Sequence, residues 1–144
     1  MGKTLTFIAE DSKSTVLLPP KVTTSVAEAY VKPAAGSLGL NLRAVVAIGE
    51  ATDVVLTLKT ADNATGTGAA DFPKAVPLFV DGVRQVNAVT YTVTEDTGNF
   101  IVDFCVDPAL IPDGKFVGIH QAASNELNLI ATTAIENATT APAV

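Results

Sequence analysis

The chain has 144 residues, enough for one domain with a sizeable core and too few for two domains of ordinary size. Hydrophobic residues make up 48% of the chain and charged residues only 17%, a composition that excludes a disordered tail. The formal net charge of −6, with nine Lys and Arg residues, argues against nucleic acid as the main partner.

Apolar and polar residues alternate along most of the chain, and a period of two is typical of half-buried β-strands. In residues 38–48, Leu40 and Leu42 share one face while Asn41 and Arg43 share the other. Val and Thr are abundant and β-branched, which suits a pleated surface. We predict strands at residues 4–9, 14–18, 38–48, 54–58, 76–80, 89–93, 100–106, 116–120 and 127–134.

Turn residues separate these runs and indicate which strands are joined locally. Asp81-Gly82 lies between two short apolar runs. Glu95-Asp96-Thr97-Gly98 separates two strongly alternating runs, so we predict a β-hairpin over residues 86–104. Asp107-Pro108 and Pro112-Asp113-Gly114 bracket a tight excursion between two strands.

Other segments lack the strand pattern. Residues 24–30 and 122–126 are predicted to form short helical turns, neither long enough to stand alone. Residues 61–71 are small, polar and Gly-rich, which predicts an exposed loop. Residues 137–144 are uncharged, and we expect either a frayed end or an arm that becomes ordered on a neighbour.

Many short strands with closely spaced turns favour an all-β sandwich or barrel. Our prediction is an antiparallel β-sandwich, jelly-roll-like, with extended N- and C-terminal arms. We assign residues 1–35 to an N-terminal strand and a proline-containing arm, residues 36–135 to the sandwich core, and residues 136–144 to a C-terminal tail, all within a single domain.

Few residues are candidates for chemistry. His120, the only His, lies in a strand-like run and is predicted to lie on a strand surface or interface. Cys105, the only Cys, shares a strand face with Asp103, whose charge disfavours the thiolate that a nucleophile requires. One Cys also excludes an internal disulfide and a zinc site of several thiolates. We therefore predict no enzymatic activity and no catalytic, cofactor-binding or metal-binding residues.

The acidic residues admit two further readings, neither of which we favour. Paired carboxylates hydrolyse glycosidic bonds, but glycan sites also use aromatic platforms, and this chain has no Trp and only Tyr30 and Tyr91 as tyrosines. Asp62-Asn63 and Glu95-Asp96 are candidates for a calcium loop, but both lack the ligand series of an EF-hand.

Three strand-like runs, with the turn residues that follow them, resemble the decoration (cement) proteins of tailed-bacteriophage heads, which are small all-β accessory capsid proteins. The resemblance is carried by Pro77-Leu78-Phe79-Val80-Asp81-Gly82, Val89-Thr90-Tyr91-Thr92-Val93, Gly98-Asn99-Phe100-Ile101-Val102-Asp103-Phe104, Ile111-Pro112-Asp113-Gly114 and Ala122-Ala123-Ser124-Asn125. It concerns composition and strand rhythm over residues 36–135, and it transfers no catalytic residues.

The resemblance implies a structural virion protein that binds the outer surface of a capsid and stabilises it by bridging subunits of the major capsid protein. It implies a homo-oligomer, a trimer or a dimer, located in the virion after assembly in the host cytoplasm. No nucleic acid and no membrane partner is expected, because the chain is acidic and has no run of 18 apolar residues. Residues 1–9, 19–33 and 134–144 are candidates for adding strands to partners.

Two other classes remain open. A tail-tube, fibre or pilus-like subunit would share the richness in Ala, Val, Thr and Gly, and it would form rings or filaments. A small glycan- or ligand-binding sandwich would present Tyr30 or Tyr91 in an exposed groove.

Overall fold

The computed structural model describes residues 12–50, 52–94 and 97–137, and within them the protein is all-β. The predicted strand at residues 4–9 and the tail at residues 138–144 lie outside the described residues. The described strands are β1 (Ser12–Val22), β2 (Ala27–Val31), β3 (Leu40–Ile48), β4 (Val54–Ala61), β5 (Ala70–Asp71), β6 (Val76–Val80), β7 (Val83–Ala88), β8 (Thr90–Val93), β9 (Gly98–Val106), β10 (Phe116–Gln121) and β11 (Leu129–Asn137).

The strands form two antiparallel sheets packed face to face. The larger sheet has the order β1-β11-β3-β9-β6-β7, and the smaller has the order β2-β10-β4-β5, with β8 also paired to β4. Without β5, β6 and β7, the order is β1-β11-β3-β9 facing β2-β10-β4-β8, which is the eight-stranded arrangement of a jelly roll. The prediction of an antiparallel, jelly-roll-like β-sandwich is confirmed.

Side chains that alternate inward along the central strands form the core. In β3 the even-numbered residues from Leu40 to Ile48 are buried while their neighbours are more exposed, as the period of two requires. Each large apolar side chain buried in this way contributes about 1.5 to 3 kcal/mol. The largest fully buried apolar side chains are Phe104, Leu42, Leu56, Leu58, Leu78, Ile119 and Ile130.

β6 and β7 form an inserted hairpin that widens the larger sheet. The turn residues Asp81 and Gly82 both have positive φ, at 49° and 79°, which matches the tight turn that an Asp-Gly pair favours. Pro77 in β6 lacks an N–H group, and opposite it the register shifts, so that Val86 and Asn87 of β7 form a bulge. The Asp-Gly turn was predicted, and it is the turn of this hairpin.

The predicted hairpin over residues 86–104 is wrong. β8 pairs with β4 in the smaller sheet, whereas β9 pairs with β3 and β6 in the larger one. The connection between β8 and β9 therefore crosses from one sheet to the other. Alternation identified both strands correctly, but it carries no information about which partner each strand chooses.

The two predicted helical turns are also not formed. Ala27–Val31 forms the strand β2, which pairs with β10. Its side chains alternate: Ala27 and Val31 point into the core, and Glu28 and Tyr30 point to the other face. Residues 122–125 are irregular, and a turn follows at 126–127. β1 and β2, which lie in the segment predicted as an N-terminal arm, pair with β11 and β10.

One end of the sandwich is fixed by a buried asparagine. Asn128 Oδ1 accepts hydrogen bonds from the backbone N–H groups of Gly49 (2.9 Å) and Glu50 (3.0 Å), and Asn128 Nδ2 donates to Thr52 O (3.0 Å). The backbone N–H of Thr23 donates to Asn128 O (3.0 Å). This residue thus joins the loops that follow β1, β3 and β10.

We predict that Asn128→Ala lowers the free energy of unfolding by about 1 to 3 kcal/mol, because it removes three hydrogen bonds to part-buried backbone groups of Gly49, Glu50 and Thr52. Chemical denaturation measures this difference. Asn99→Ala, at an exposed position in β9, is the control and should change stability little. Equal stability of the two variants would contradict the role given to Asn128.

Candidate functional site

The outer face of β11, β3 and β9 is the main candidate surface, and we call it the sheet face. Its members point away from the core because their neighbours along each strand point into it. The sheet face consists of Leu129, Ala131, Thr133 and Ile135 of β11, Asn41, Arg43, Val45 and Ala47 of β3, and Asn99, Ile101, Asp103 and Cys105 of β9.

The sheet face is unusually apolar for a surface in contact with water. Val45 lies directly between Ala131 and Ile101 in the register of the three strands. Val45 is 42% exposed, Ile101 37% and Leu129 43%. An antiparallel sheet with one solvated face normally carries polar residues there, and a contiguous exposed apolar patch marks an interaction site.

One ion pair lies at the centre of the sheet face. Arg43 Nε donates to Asp103 Oδ1 (2.8 Å) and Arg43 Nη2 donates to Asp103 Oδ2 (3.3 Å), so the contact is bidentate. Asn41 Nδ2 also donates to Asp103 Oδ1 (3.3 Å). The hydrogen bonds that Arg43 donates to Asp103 raise the pKa of Arg43 above its usual value. The two charges cancel, and the sheet face has no net charge.

Two features at the edge of this cluster are open to a partner. Asn41 Oδ1 is buried and accepts no hydrogen bond from the part of the chain that the structure describes. A cleft of about 380 Å³ is lined by Asn41, Cys105, Ile135 and their neighbours. Asn41 Oδ1 would therefore become available to an incoming donor group only after its side chain rotates into the cleft.

Cys105 lies half-buried in this cleft. Burial raises the pKa of its thiol, and the negative charge of Asp103 raises it further, while Arg84 has a smaller opposing effect. The raised pKa agrees with the prediction from the sequence that Asp103 disfavours the thiolate form of Cys105. The side chain contributes apolar surface to the sheet face.

His120 lies on the outer face of the smaller sheet, between Glu28 and Thr57 in the register. His120 Nε2 is 3.6 Å from Glu28 Oε2, and Tyr30 Oη donates to the same carboxylate (3.2 Å). Burial, together with Glu28, raises the pKa of the Tyr30 hydroxyl well above its usual range. The row brings together an acid, an imidazole and the Thr57 hydroxyl, which accepts a hydrogen bond from Thr90 Oγ1 (3.4 Å).

Neither tyrosine forms an exposed platform. Tyr30 is only 3% exposed because the loop at Gly66 covers it and because Gly118 allows its ring to lie close to β10. A Cβ atom on Gly118 would lie 2.1 Å from Ala29 O. Tyr91 is half-buried and packs against the core. The groove expected for a glycan-binding sandwich is therefore not built around these side chains.

The polar loop after β4 uses its own oxygens internally. Asn63 Oδ1 accepts hydrogen bonds from the N–H groups of Thr65, Gly66 and Thr67, and Asp62 pairs with Lys115. Glu95-Asp96, the other candidate calcium loop, lies outside the described residues. Among the described residues no group of three or more His, Cys, Asp or Glu is placed to hold a metal ion.

A second cleft, of about 350 Å³, lies at the opposite end of the sandwich from Asn128. Residues 32–37 form one wall and residues 108–115 the other. Asp107 Oδ1 caps the short 3-10 turn Pro108–Leu110 by accepting from Ala109 N (3.0 Å), which confirms the predicted tight excursion. The walls are mostly Pro and Ala, with Lys32 and Lys115 as cations.

The pairing of Arg43 with Asp103 was not predicted from the sequence, although the alternation placed both residues on the polar side of their strands. The pairing depends on β3 lying beside β9, which no local pattern reveals. The amino-acid sequence does contain a pattern that indicates the apolar character of the sheet face. Residues 44–47 and 100–102 are apolar on both faces, which is typical of strands covered on both sides.

We predict that Asp103→Asn speeds the reaction of Cys105 with a maleimide at neutral pH. Loss of the negative charge lowers the thiol pKa, so more thiolate is present at a given pH. Stopped-flow rates between pH 6 and 9 measure the shift, with Asp71→Asn on the other sheet as the control. An unchanged or slower reaction of Asp103→Asn would count against the stated cause.

No helix in the described part of the chain is long and apolar enough to cross a membrane. No protein-family model, curated protein or solved structure matches this chain. Its function is therefore inferred from the surfaces described above.

Proposed function

We propose that the protein is a structural component of a bacteriophage virion. It binds the outer surface of the capsid through the sheet face and stabilises the shell by bridging subunits of the major capsid protein. The observation that carries the proposal is the apolar, charge-neutral sheet face on a rigid jelly roll. The resemblance of residues 36–135 to phage decoration proteins supplies the kind of assembly.

The size of the sheet face suits an interface that is used in many copies. Nine-residue strands are about 30 Å long and three adjacent strands about 14 Å wide, which gives a flat area of about 400 Å². A stable pairwise interface buries about 800 Å² on each partner. One copy alone would thus bind modestly, and attachment of a homo-oligomer at several points of a symmetric shell would strengthen it.

The Arg43–Asp103 pair would give this contact its orientation. Burial of an ion pair contributes little net affinity, because desolvation offsets the attraction, but a mispositioned partner leaves the charges unsatisfied. Asn41 Oδ1, which lacks a donor, adds one more directional requirement. The surrounding apolar side chains, Val45 and Ile101 among them, would contribute most of the binding free energy.

The proposal includes no catalytic activity, no cofactor and no nucleic-acid or membrane partner. It locates the protein in the virion, after assembly in the host cytoplasm. The runner-up, a tail-tube, fibre or pilus-like subunit, would use the same surface between its own copies. Electron microscopy of virions with and without the protein separates these cases, because added density appears on the head in one and on the tail or fibre in the other.

We predict that Val45→Lys weakens binding to purified capsids by about tenfold or more, because a charge must be desolvated in an apolar contact. Co-sedimentation with capsids measures the loss. Val45 is partly exposed, and the fold tolerates the substitution.

Thr90→Lys is the matched control, since Thr90 is exposed on the outer face of the other sheet. It should leave capsid binding unchanged. The proposal fails if the wild-type protein adds no density to any shell and gives capsids no added resistance to heat. Equal loss of binding in both variants would refute the assignment of the sheet face.

A further inference from the structure

The free edge of β7 is a second surface with unused binding capacity. β7 is the last strand of the larger sheet, and among the strands that the structure describes it pairs only with β6. Val83 is 61% exposed, and Val86, at 88%, is the most exposed of the large apolar side chains in the described residues. Every second backbone N–H and C=O group of such an edge points away from the sheet, ready to pair with another strand.

The edge strands β1 and β2 carry features that hinder pairing with another strand, and β7 lacks these features. β1, at the opposite edge of the same sheet, contains Pro19, Pro20, Lys13 and Lys21 and has two register shifts. In the smaller sheet the N–H group of Tyr30 in β2 donates to Ala64 O of the loop that follows β4 (3.0 Å). Prolines, lysines and covering loops are the usual means of preventing edge pairing.

β7 contains no proline and no lysine, and its single charge is Arg84. Its one protective feature is the bulge at Val86 and Asn87, which leaves Val83, Arg84 and Gln85 in regular register with β6. Because Val80 and Val83 close a two-residue turn, their backbone groups bond to each other, and by alternation the N–H and C=O of Arg84 point to the open edge.

The hairpin that carries this edge is held rigidly. Asp81 N donates to Ile101 O (2.8 Å), and Ile101 N donates to Asp81 Oδ1 (2.8 Å), so the turn is fixed to β9. The Arg84 guanidinium lies 5.5 Å from the centre of the Phe79 ring and donates to Asn87 Oδ1 (2.6 Å). A fixed edge loses little conformational entropy on pairing.

We infer that β7 pairs in antiparallel orientation with β7 of a second copy, which joins two six-stranded sheets into one of twelve strands. A second copy fits because the strand is uncharged apart from Arg84. With a two-fold axis through Gln85, each Arg84 faces Val86 of the other copy instead of the other Arg84. The exposed valines of both strands are then removed from water together.

The dimer would also place two sheet faces side by side on one continuous sheet. This consequence deepens the proposed function and rests on it, because a two-point attachment strengthens binding to a repetitive surface. The pairing itself does not depend on any capsid, and purified protein is sufficient to test it.

The test is sedimentation velocity of the full chain over a range of concentration, with Val86→Lys as the variant. The wild type should approach twice the chain mass of 14.8 kDa, and the dissociation constant of Val86→Lys should rise about tenfold or more, because each lysine then faces Arg84 of the other copy. Val16→Lys is the matched control, since Val16 is an exposed valine on the β1 edge, and it should leave the dimer unchanged.

Hydrogen exchange on the wild type gives a second, independent measurement. Protection of the Arg84 amide should rise with protein concentration, while the amides of β1 should not change. The inference is overturned if the wild type stays monomeric at all concentrations, if Val16→Lys disrupts the dimer as strongly, or if Val45→Lys disrupts it, which would place the contact on the sheet face. A dimer without capsid binding would leave the pairing intact and refute only the proposed function.

Discussion

Only one face of the six-stranded sheet is closed by the other sheet, and the rest of the structure follows from this constraint. The inward rows of β3 and β9 are mostly buried and form the core, and Leu42 and Phe104 at their centre have no exposure. The outward rows of the same strands must meet either water or another protein. A row built for water would be polar, yet Val45 and Ile101 are apolar. The sheet therefore resembles a middle layer whose second covering layer is another molecule.

The jelly-roll topology makes this layer stiff enough to act as an interface. Consecutive strands mostly lie in different sheets, so the neighbours of a strand within its own sheet are mostly distant from it in sequence. Asn128 fixes three of the loops at one end through buried hydrogen bonds. Arg43 and Asp103 hold β3 to β9 on the outside, just as Leu42 and Phe104 hold them on the inside. A surface fixed from both sides can bind without reorganising.

The sequence alone was sufficient to predict the strands of the core, because burial on one face imposes a period of two. Residues 76–80 match β6 residue for residue, and the inward faces of β3 and β4 were identified correctly. The pairing of strands was beyond reach, since alternation is the same whichever neighbour a strand has. The error over residues 86–104 shows this, because both strands exist but lie in different sheets. The pairing of Arg43 with Asp103 could not be predicted for the same reason, because it depends on β3 lying beside β9.

The distribution of charge explains why association would be selective. The chain has a net charge of −6, and many of its acids, including Asp62, Asp81, Asp107 and Asp113, are exposed in turns and loops. Copies that approach through these loops repel each other within the screening length of about 8 Å at physiological salt. The sheet face contributes no net charge, and the β7 edge contributes only Arg84. These two surfaces are therefore where contact costs the least electrostatic free energy, and both carry exposed apolar side chains. In the proposed assemblies, repulsion elsewhere and attraction at these positions would act together, so the acidic loops would help to direct the apolar surfaces to their partners.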